Sequence, residues 1–449
     1  MSCRTVFHGD CWATAALLKL QFEIVSVQAG IESLEVPEGD SLESWLSILN
    51  EHPGIEFAEE DRLMHAFDWN APDDPDLPLQ WAMYQLGLFL GQDDDRAWHR
   101  STGSHAITVC IIDSGIDYDH PDLASNMWIN HHEIPDNGID DDHNGFIDDY
   151  YGFNFLNDSG DCIDNYFHGT HLAGIVGAAC NNSLGVCGVS PNVNLMACKF
   201  LDAEGNGFTS NALRCLDYSL LMGADMTLNS WGGVDADSLS LRLAIHSAEA
   251  AGQLYITAAG NDWGADIDEH PTYPAAYNNS NILTVIATAE NGQLAAYSNY
   301  GQTNAHIAAP GSHILSTVLD KGYGYHDGTS QAAAYVAGAA ALAMAAYEQA
   351  GVNVSFGAAA IKAAILSGAA RTPALADTCT SGGILDVAKA LSLIPEHVLV
   401  NEVAGCPHCS GQLASYPTSR LETGALAPTS NPSDAASDPA WPQIKLARP

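Results

Sequence analysis

From about Ile107 onward, short apolar runs rich in β-branched residues alternate with segments of helical period. The runs Ile107–Ile112, Leu195–Phe200, Leu254–Ala258 and Ile282–Ala287 read as buried strands. Between and after them, Gly169–Ala179, Asn211–Met222, Ser238–Ala251, Ser330–Gln349 and Ala358–Leu366 read as helices. Strand and helix in alternation predict an α/β fold, doubly wound, with a central mostly parallel sheet flanked by helices. In such folds ligand chemistry collects at the carboxyl ends of the strands.

Upstream the pattern differs. Leu34–Ala66 (a unit that begins as early as residue 20) predicts a small α+β domain. Leu42, Trp45, Leu46 and Leu49 fall at helical spacing before Gly54, with strands at Phe22–Val27 and Ile55–Phe57. Residues 1–33 read as a leader of unclear role, and residues 67–100 as a linker plus the start of the main domain. The linker signal is Asn70–Trp81, with three prolines and three aspartates. The main domain spans 101–395. Residues 400–449 are rich in Ala, Ser, Pro and Thr without periodicity and read as a disordered tail.

Charge narrows the function classes. With 15 Lys and Arg against 55 Asp and Glu, the net charge is −40. Such a chain repels nucleic acid and anionic membrane surfaces, because it lacks cations to neutralise phosphates. The acidic balance fits a soluble protein in a salty or calcium-rich medium, and a monomer is expected. No segment reaches the ~20 apolar residues of a membrane span. The first residues make a poor signal peptide, since only Cys11–Leu18 separate Asp10 from Lys19. Among 11 cysteines, Cys110 and Cys198 sit in apolar runs as buried thiols. Cys180 and Cys187 flank a short loop, at a spacing that allows either a bridge or two free thiols. Cys406 and Cys409 form a lone C-x-x-C without the second ligand pair of a zinc site.

Three short motifs carry candidate chemistry. "TVCIIDSGID" ends a strand at Asp113, where a carboxylate can orient a histidine; alone it is also ordinary turn chemistry. "HGTHLAGIVGA" places His168 at the mouth of a helix with small residues at Gly169, Ala173, Gly174 and Gly177. His168 and His171 lack the H-E-x-x-H partner of a zinc pair. "GTSQAAAYVAGAAAL" puts Ser330 at the head of a helix whose residues Gln331–Tyr347 carry no charge and include ten alanines. Free N–H groups and the positive end of the dipole favour a nucleophile that develops an adjacent oxyanion. Each motif alone is weak. In the order Asp, His, Ser they match a known chain order of the catalytic triad. Ser330 would attack a carbonyl, His168 move its proton, and Asp113 hold the imidazole. Asn261, ending "LYITAAGN", would complete the oxyanion hole with the Ser330 N–H.

These motifs, with "NSWGG" between them, resemble the subtilisin-like serine proteases over roughly Pro78 to Leu393. The resemblance implies an endopeptidase acting on protein or peptide substrates through an acyl-enzyme. By it Ser230, Trp231 and Gly232 line one wall of the cleft, Ala258, Ala259 and Gly260 the other, and Thr272 the base of the P1 pocket. Asp262 falls near its rim, which would favour medium-sized or basic P1 residues. The small N-terminal domain becomes a propeptide, an intramolecular inhibitor cleaved between about Met64 and Asp76. The family context implies a zymogen secreted to the extracellular space. After Ser330 the family pattern Met-Ala-Ala-Pro-His is replaced by Gln331, Ala332, Ala333, Ala334 and Tyr335. A catalytically impaired relative acting as a binding module is the alternative.

The cofactor expected is Ca²⁺. "NNSLGV" resembles the family's calcium loop, with Asn182 and Asp122 as side-chain ligands. A second site is expected in Glu133–Asp149, where seven acidic residues crowd 17 positions. Asp140, Asp142, Asn144 and Asp148 follow the alternating ligand pattern of an EF-hand loop, which here lacks its terminal Glu.

Overall fold

The computed structural model describes residues 72–89, 96–350 and 357–394, four N-terminal strands and a few positions near Ser47. The strands β1 (Arg4–Gly9), β2 (Phe22–Ser26), β3 (Ile31–Glu35) and β4 (Ile55–Glu60) form one antiparallel sheet in the order β2-β3-β1-β4. This sheet draws strands from the segment read as a leader, so its pairing reaches back to Arg4. Within the helix expected before Gly54, Ser47, Ile48 and Asn50 are helical. The expected cleavage region up to residue 71 lies mostly outside the described residues, as does the 400–449 tail.

The main sheet contains β5 (Gly103–Asp113), β6 (Gly152–Asn154), β7 (Asn192–Lys199), β8 (Met226–Asn229), β9 (Leu254–Ala258), β10 (Ile282–Thr288) and β11 (Ile307–Pro310). A separate hairpin pairs β12 (Ile314–Val318) with β13 (Gly322–His326). The short β14 (Ala370–Arg371) and β15 (Gly383–Ile384) complete the nine-stranded order β14-β15-β11-β10-β9-β8-β5-β7-β6. Every pairing in it is parallel except β14 with β15. The order reverses direction beside β5, which is the doubly wound topology expected from the alternating pattern.

Helices α1 (Trp81–Gln85), α2 (Ala97–Arg100), α3 (His168–Gly177), α4 (Thr209–Leu221), α5 (Leu239–Ala250), α6 (Thr329–Gln349), α7 (Gly357–Gly368) and α8 (Val387–Ser392) surround the sheet. Helix α6 runs through the core, and every residue from Thr329 to Ala345 is buried. It packs on β5, β8, β9, β10 and β11 and on α3. Its alanines permit that approach. At Gly338 even one methyl would be too much, because a Cβ would lie 2.5 Å from Val189 Cβ. A helix this apolar could be mistaken for a span. Among the described residues, however, no helix is long and apolar enough to cross a membrane.

The Asn70–Trp81 linker is docked over its described part. Asp74 accepts a hydrogen bond from Asn181 N at 2.7 Å, and Asp73 one from Ser183 N at 2.9 Å. The Gln80 carboxamide pairs with both backbone groups of Cys187 at 2.9 Å. The loop they hold is closed by a Cys180–Cys187 disulfide, and Cys110 and Cys198 are buried free thiols.

Candidate active site

Each candidate catalytic group stands at the carboxyl edge of the parallel sheet. Asp113 is the last residue of β5 and is fully buried. His168 opens α3, and Gly169 lets that helix meet the strand end. A Cβ there would lie 2.1 Å from the Gly115 carbonyl oxygen. His168 Nδ1 contacts Asp113 Oδ1 at 2.8 Å and Oδ2 at 3.0 Å. A carboxylate only accepts, so the proton sits on Nδ1 and Nε2 faces outward as the basic atom. Burial lowers the imidazole's affinity for a proton. The Asp113 carboxylate, and more weakly Asp164, outweigh that and raise its pKa above the ordinary value.

The start of α3 is held by Asp164 and Lys199, which are absent from the short motifs, and by Ser114, which directly follows Asp113. Asp164 Oδ1 accepts from the N–H groups of Tyr166 and Phe167, and Oδ2 from Thr170 N and Thr170 Oγ1. Ser114 Oγ accepts from Gly169 N at 3.0 Å. Lys199 donates to the Ser114 carbonyl and to Asn165 Oδ1, tying the two loops together. Asp164 lies upstream of the N-cap position, which Phe167 holds, and Lys199 has partners remote in sequence, so neither was read from the motifs.

Ser330 is the second residue of α6 and 7% exposed. Its Oγ donates to Ser230 O at 3.5 Å, and no hydrogen bond joins it to His168. Catalytic contacts of this kind are often loose before substrate binds. Asn261 follows the end of β9. Its Oδ1 is anchored by Thr329, which leaves Nδ2 as the amide group outside that contact.

Beside Ser330 lies a pocket of about 230 Å³ lined by Ser230, Trp231, Gly232, Ala258, Gly260 and Thr272, with Gly233, Asn261, Asp262 and Thr329. The sequence-expected wall residue Ala259 is not part of it. It is fully buried on the other side, in a cluster with Ile267, Ala275 and Ile286. The alternation of a strand turns its side chain away from its neighbours' face. Asp262 Oδ2 accepts from Asn299 Nδ2 at 2.8 Å, which fixes the one carboxylate at the pocket.

The expected metal ligands are partly assembled. Asp122 Oδ1 meets Asn182 Nδ2 at 2.9 Å, while Asp122 Oδ2 accepts from Val186 N and Tyr323 Oη. Asp74 joins them. It is buried, and burial and then the charge of Asp122 raise its pKa, although the Asn181 and Asn182 N–H groups oppose this. In the acidic loop, carboxylate oxygens of Glu133, Asp140 and Asp142 lie within 4.8 Å of one another. Asp148 is not in that group; its oxygens accept from Asn137 N and Gly138 N at 3.0 Å each. Asn144 Oδ1 is turned to Phe146 N at 2.7 Å. Glu133, outside the alternating pattern, supplies the third carboxylate instead.

A family profile described as "Subtilase family" matches residues 104–387. The chain belongs to the subtilase family. This subtilase is 35% identical over 282 residues to Subtilisin-like protease 1 of Plasmodium berghei (strain Anka), covering 59% of the chain and 46% of that relative. It is 32% identical over 305 residues to the Thermophilic serine proteinase of Bacillus sp. (strain AK1), covering 67% of the chain and 66% of the relative. It therefore spans about half the length of the Plasmodium relative. Among solved structures, a chain described as one of the proteases from Pseudoalteromonas arctica PAMC 21717 aligns with a TM-score of 0.56 and 27% identity, covering 73% of this chain and all of that one.

Proposed function

We propose that this subtilase is a serine endopeptidase in which Ser330 is the nucleophile, His168 the general base and Asp113 its orienter. The observation that carries the reading is the 2.8 Å Asp113–His168 contact, set beside a serine at the head of a buried helix. Ser330 Oγ attacks the scissile carbonyl as its proton passes to His168 Nε2. The developing oxyanion is met by the Ser330 N–H, unpaired in the first turn, and by Asn261 Nδ2. The resulting imidazolium, stabilised by Asp113, protonates the leaving amine. Water then releases the acyl group by the same path.

The pocket beside Ser330 takes the P1 side chain, with Thr272 at its base and Asp262 supplying its carboxylate. A medium-sized or basic P1 residue follows. Calcium is held at two places, where it supplies structural crosslinks. Glu133, Asp140 and Asp142 form one hard-oxygen donor set. Asp122, Asn182 and Asp74 form the other, supported by two buried carboxylates, the charge of Asp122 adding to the burial that raises the Asp74 pKa. The N-terminal sheet domain is the propeptide, removed by autoprocessing, and the mature enzyme is a secreted monomer.

The second reading, an impaired subtilase that binds without cleaving, is favoured by the Ser330–Ser230 contact and by the replacements at Gln331, Ala334 and Tyr335. Casein hydrolysis and fluorophosphonate labelling by wild type and Ser330→Ala separate the two. Labelling of wild type alone supports the protease; folded, processed wild type that neither labels nor cleaves casein overturns it.

A further inference from the structure

Four side chains outside the triad make a continuous path between its histidine and its serine. Phe167, immediately before His168, holds φ at +103°, a left-handed conformation uncommon for a bulky residue. Its ring stacks on His326, with centroids 4.4 Å apart and planes 17° from parallel. His326 closes β13, four residues before Ser330, and meets His171 edge-on at 4.7 Å.

His171 is buried in the first turn of α3. Its Nε2 lies 3.2 Å from Ile314 O and 3.1 Å from Gly324 O, one carbonyl from each strand of the β12–β13 hairpin. Carbonyls only accept, so the proton is on Nε2 and Nδ1 is left as an acceptor. Nδ1 faces Gln331 Nε2 at 3.4 Å. Burial, with the neighbouring His326, pushes the His171 pKa down to about 3, so the ring stays neutral. Gln331 directly follows Ser330 and is 2% exposed. Its carboxamide is held through Nε2, and Oε1 has no partner among the described residues. A thioether at this position, as in the family pattern, has no N–H with which to bond His171.

The path Phe167, His326, His171, Gln331 thus joins the residue before His168 to the residue after Ser330. The two catalytic side chains are not bonded to each other here, so their separation is set by where these backbone segments are held. We infer that Gln331 and His326 are positioning residues that set His168 against Ser330 through His171 and Phe167. The inference rests on the protease reading above. It assigns Gln331 a role in holding the site, where packing alone would need only an apolar side chain of similar volume.

The test is steady-state hydrolysis of a peptide amide by the full chain, with melting temperatures to confirm folding. The variants are His326→Ala, His326→Phe, Gln331→Met and the double Gln331→Met/His326→Ala, with Ser330→Ala as the blank. Small displacements of reacting groups are costly, so His326→Ala and Gln331→Met each lower kcat about tenfold with KM within about twofold. His326→Phe keeps the stack and regains most of the loss. The double variant is no worse than the worse single, because both break one path. Unchanged kcat, an effect carried by KM, losses that multiply, or a His326→Phe as slow as His326→Ala would each overturn the inference. Should His326→Ala not fold, His326→Leu against His326→Phe makes the same comparison. Inert wild type sinks the protease reading itself, whereas active wild type with unaffected variants sinks only this inference.

Discussion

Asn261 Oδ1 accepts two hydrogen bonds from Thr329, one from its backbone N–H at 3.0 Å and one from Oγ1 at 2.9 Å. The backbone N–H can only donate, so this contact decides which way the amide faces. Asn261 and Ser330 line the same pocket, so in the proposed mechanism Nδ2, the amide group not bonded to Thr329, is the donor for the oxyanion. Replacing Asn261 by Ala should lower kcat by 10²–10³-fold, about 3–4 kcal/mol, the size of one lost oxyanion donor in a related protease. KM should change little, since the charge develops only in the transition state. Thr329→Val, which keeps the N–H but loses Oγ1, should cost less. Equal losses in the two variants would contradict the division of labour.

The Asp113–His168 contact predicts the acid limb of the pH profile. His168 must be neutral to accept the Ser330 proton. Its folded pKa is raised, because Asp113 and Asp164 outweigh burial, so activity falls as pH drops through a value above the ordinary imidazole one. In Asp113→Asn that support is lost, the limb moves to lower pH, and kcat drops by about 10⁴-fold. A kcat/KM profile of both proteins checks this. An acid limb that does not move in Asp113→Asn would exclude Asp113 as the partner.

Much of this was legible in the chain because the decisive signals are local. Asp113, His168, Asn261 and Ser330 each sit at a strand end or helix start within a few residues of a small-residue motif. The β-branched runs marked four strands of the main sheet. What sequence could not show is long-range. Asp74 reaches the Asn181–Val186 loop from the supposed linker, and β1 pairs with β3 and β4 across tens of residues. Glu133 enters the acidic cluster across left-handed positions at Asp136 and Gly138, which lie between it and Asp140. Ala259 was misplaced for a different reason. A short motif names both faces of a strand end, and only the pleat decides which residue lines the pocket.

A buried amine predicts how stability varies with pH. Lys362 Nζ donates to Ile282 O at 2.5 Å and lies 3.1 Å from His306 Nε2. His306 Nδ1 accepts from Thr284 N, so its own proton is on Nε2. A neutral amine can accept that proton and still donate to carbonyls, whereas an ammonium cannot accept it. Burial accordingly lowers the Lys362 pKa to about 8, with Glu249 opposing. The folded state therefore disfavours the proton that the unfolded state holds up to its ordinary pKa. Stability from this group is full above pH 10.5 and is lost as pH falls towards 8. The unfolding free energy from urea titrations should rise between pH 8 and 10.5 in the wild type relative to Lys362→Met, by roughly 1–2 kcal/mol after discounting for a partly exposed amine. Parallel curves for the two proteins would show that the amine is charged in the fold.

The acidic loop predicts where calcium acts. Three carboxylates whose oxygens lie within 4.8 Å of one another repel in the free protein, and a divalent cation relieves that repulsion. Glu133 also accepts from the N–H groups of Asp141, Asp142 and Asp148, so a bound ion would share that side chain with the loop backbone. Glu133→Gln and Asp140→Asn should each remove one bound calcium by calorimetric titration and lower the melting temperature in calcium part of the way towards that of wild type in EDTA, which strips both sites. Asp148→Asn, whose target carboxylate caps Asn137 and Gly138 instead, should retain that calcium with at most a few-fold weaker affinity. Asp122→Asn should abolish a different binding event and leave the acidic loop's intact. Loss of the same calcium in Asp148→Asn as in Asp140→Asn would restore the alternating EF-hand pattern and displace Glu133 from the set.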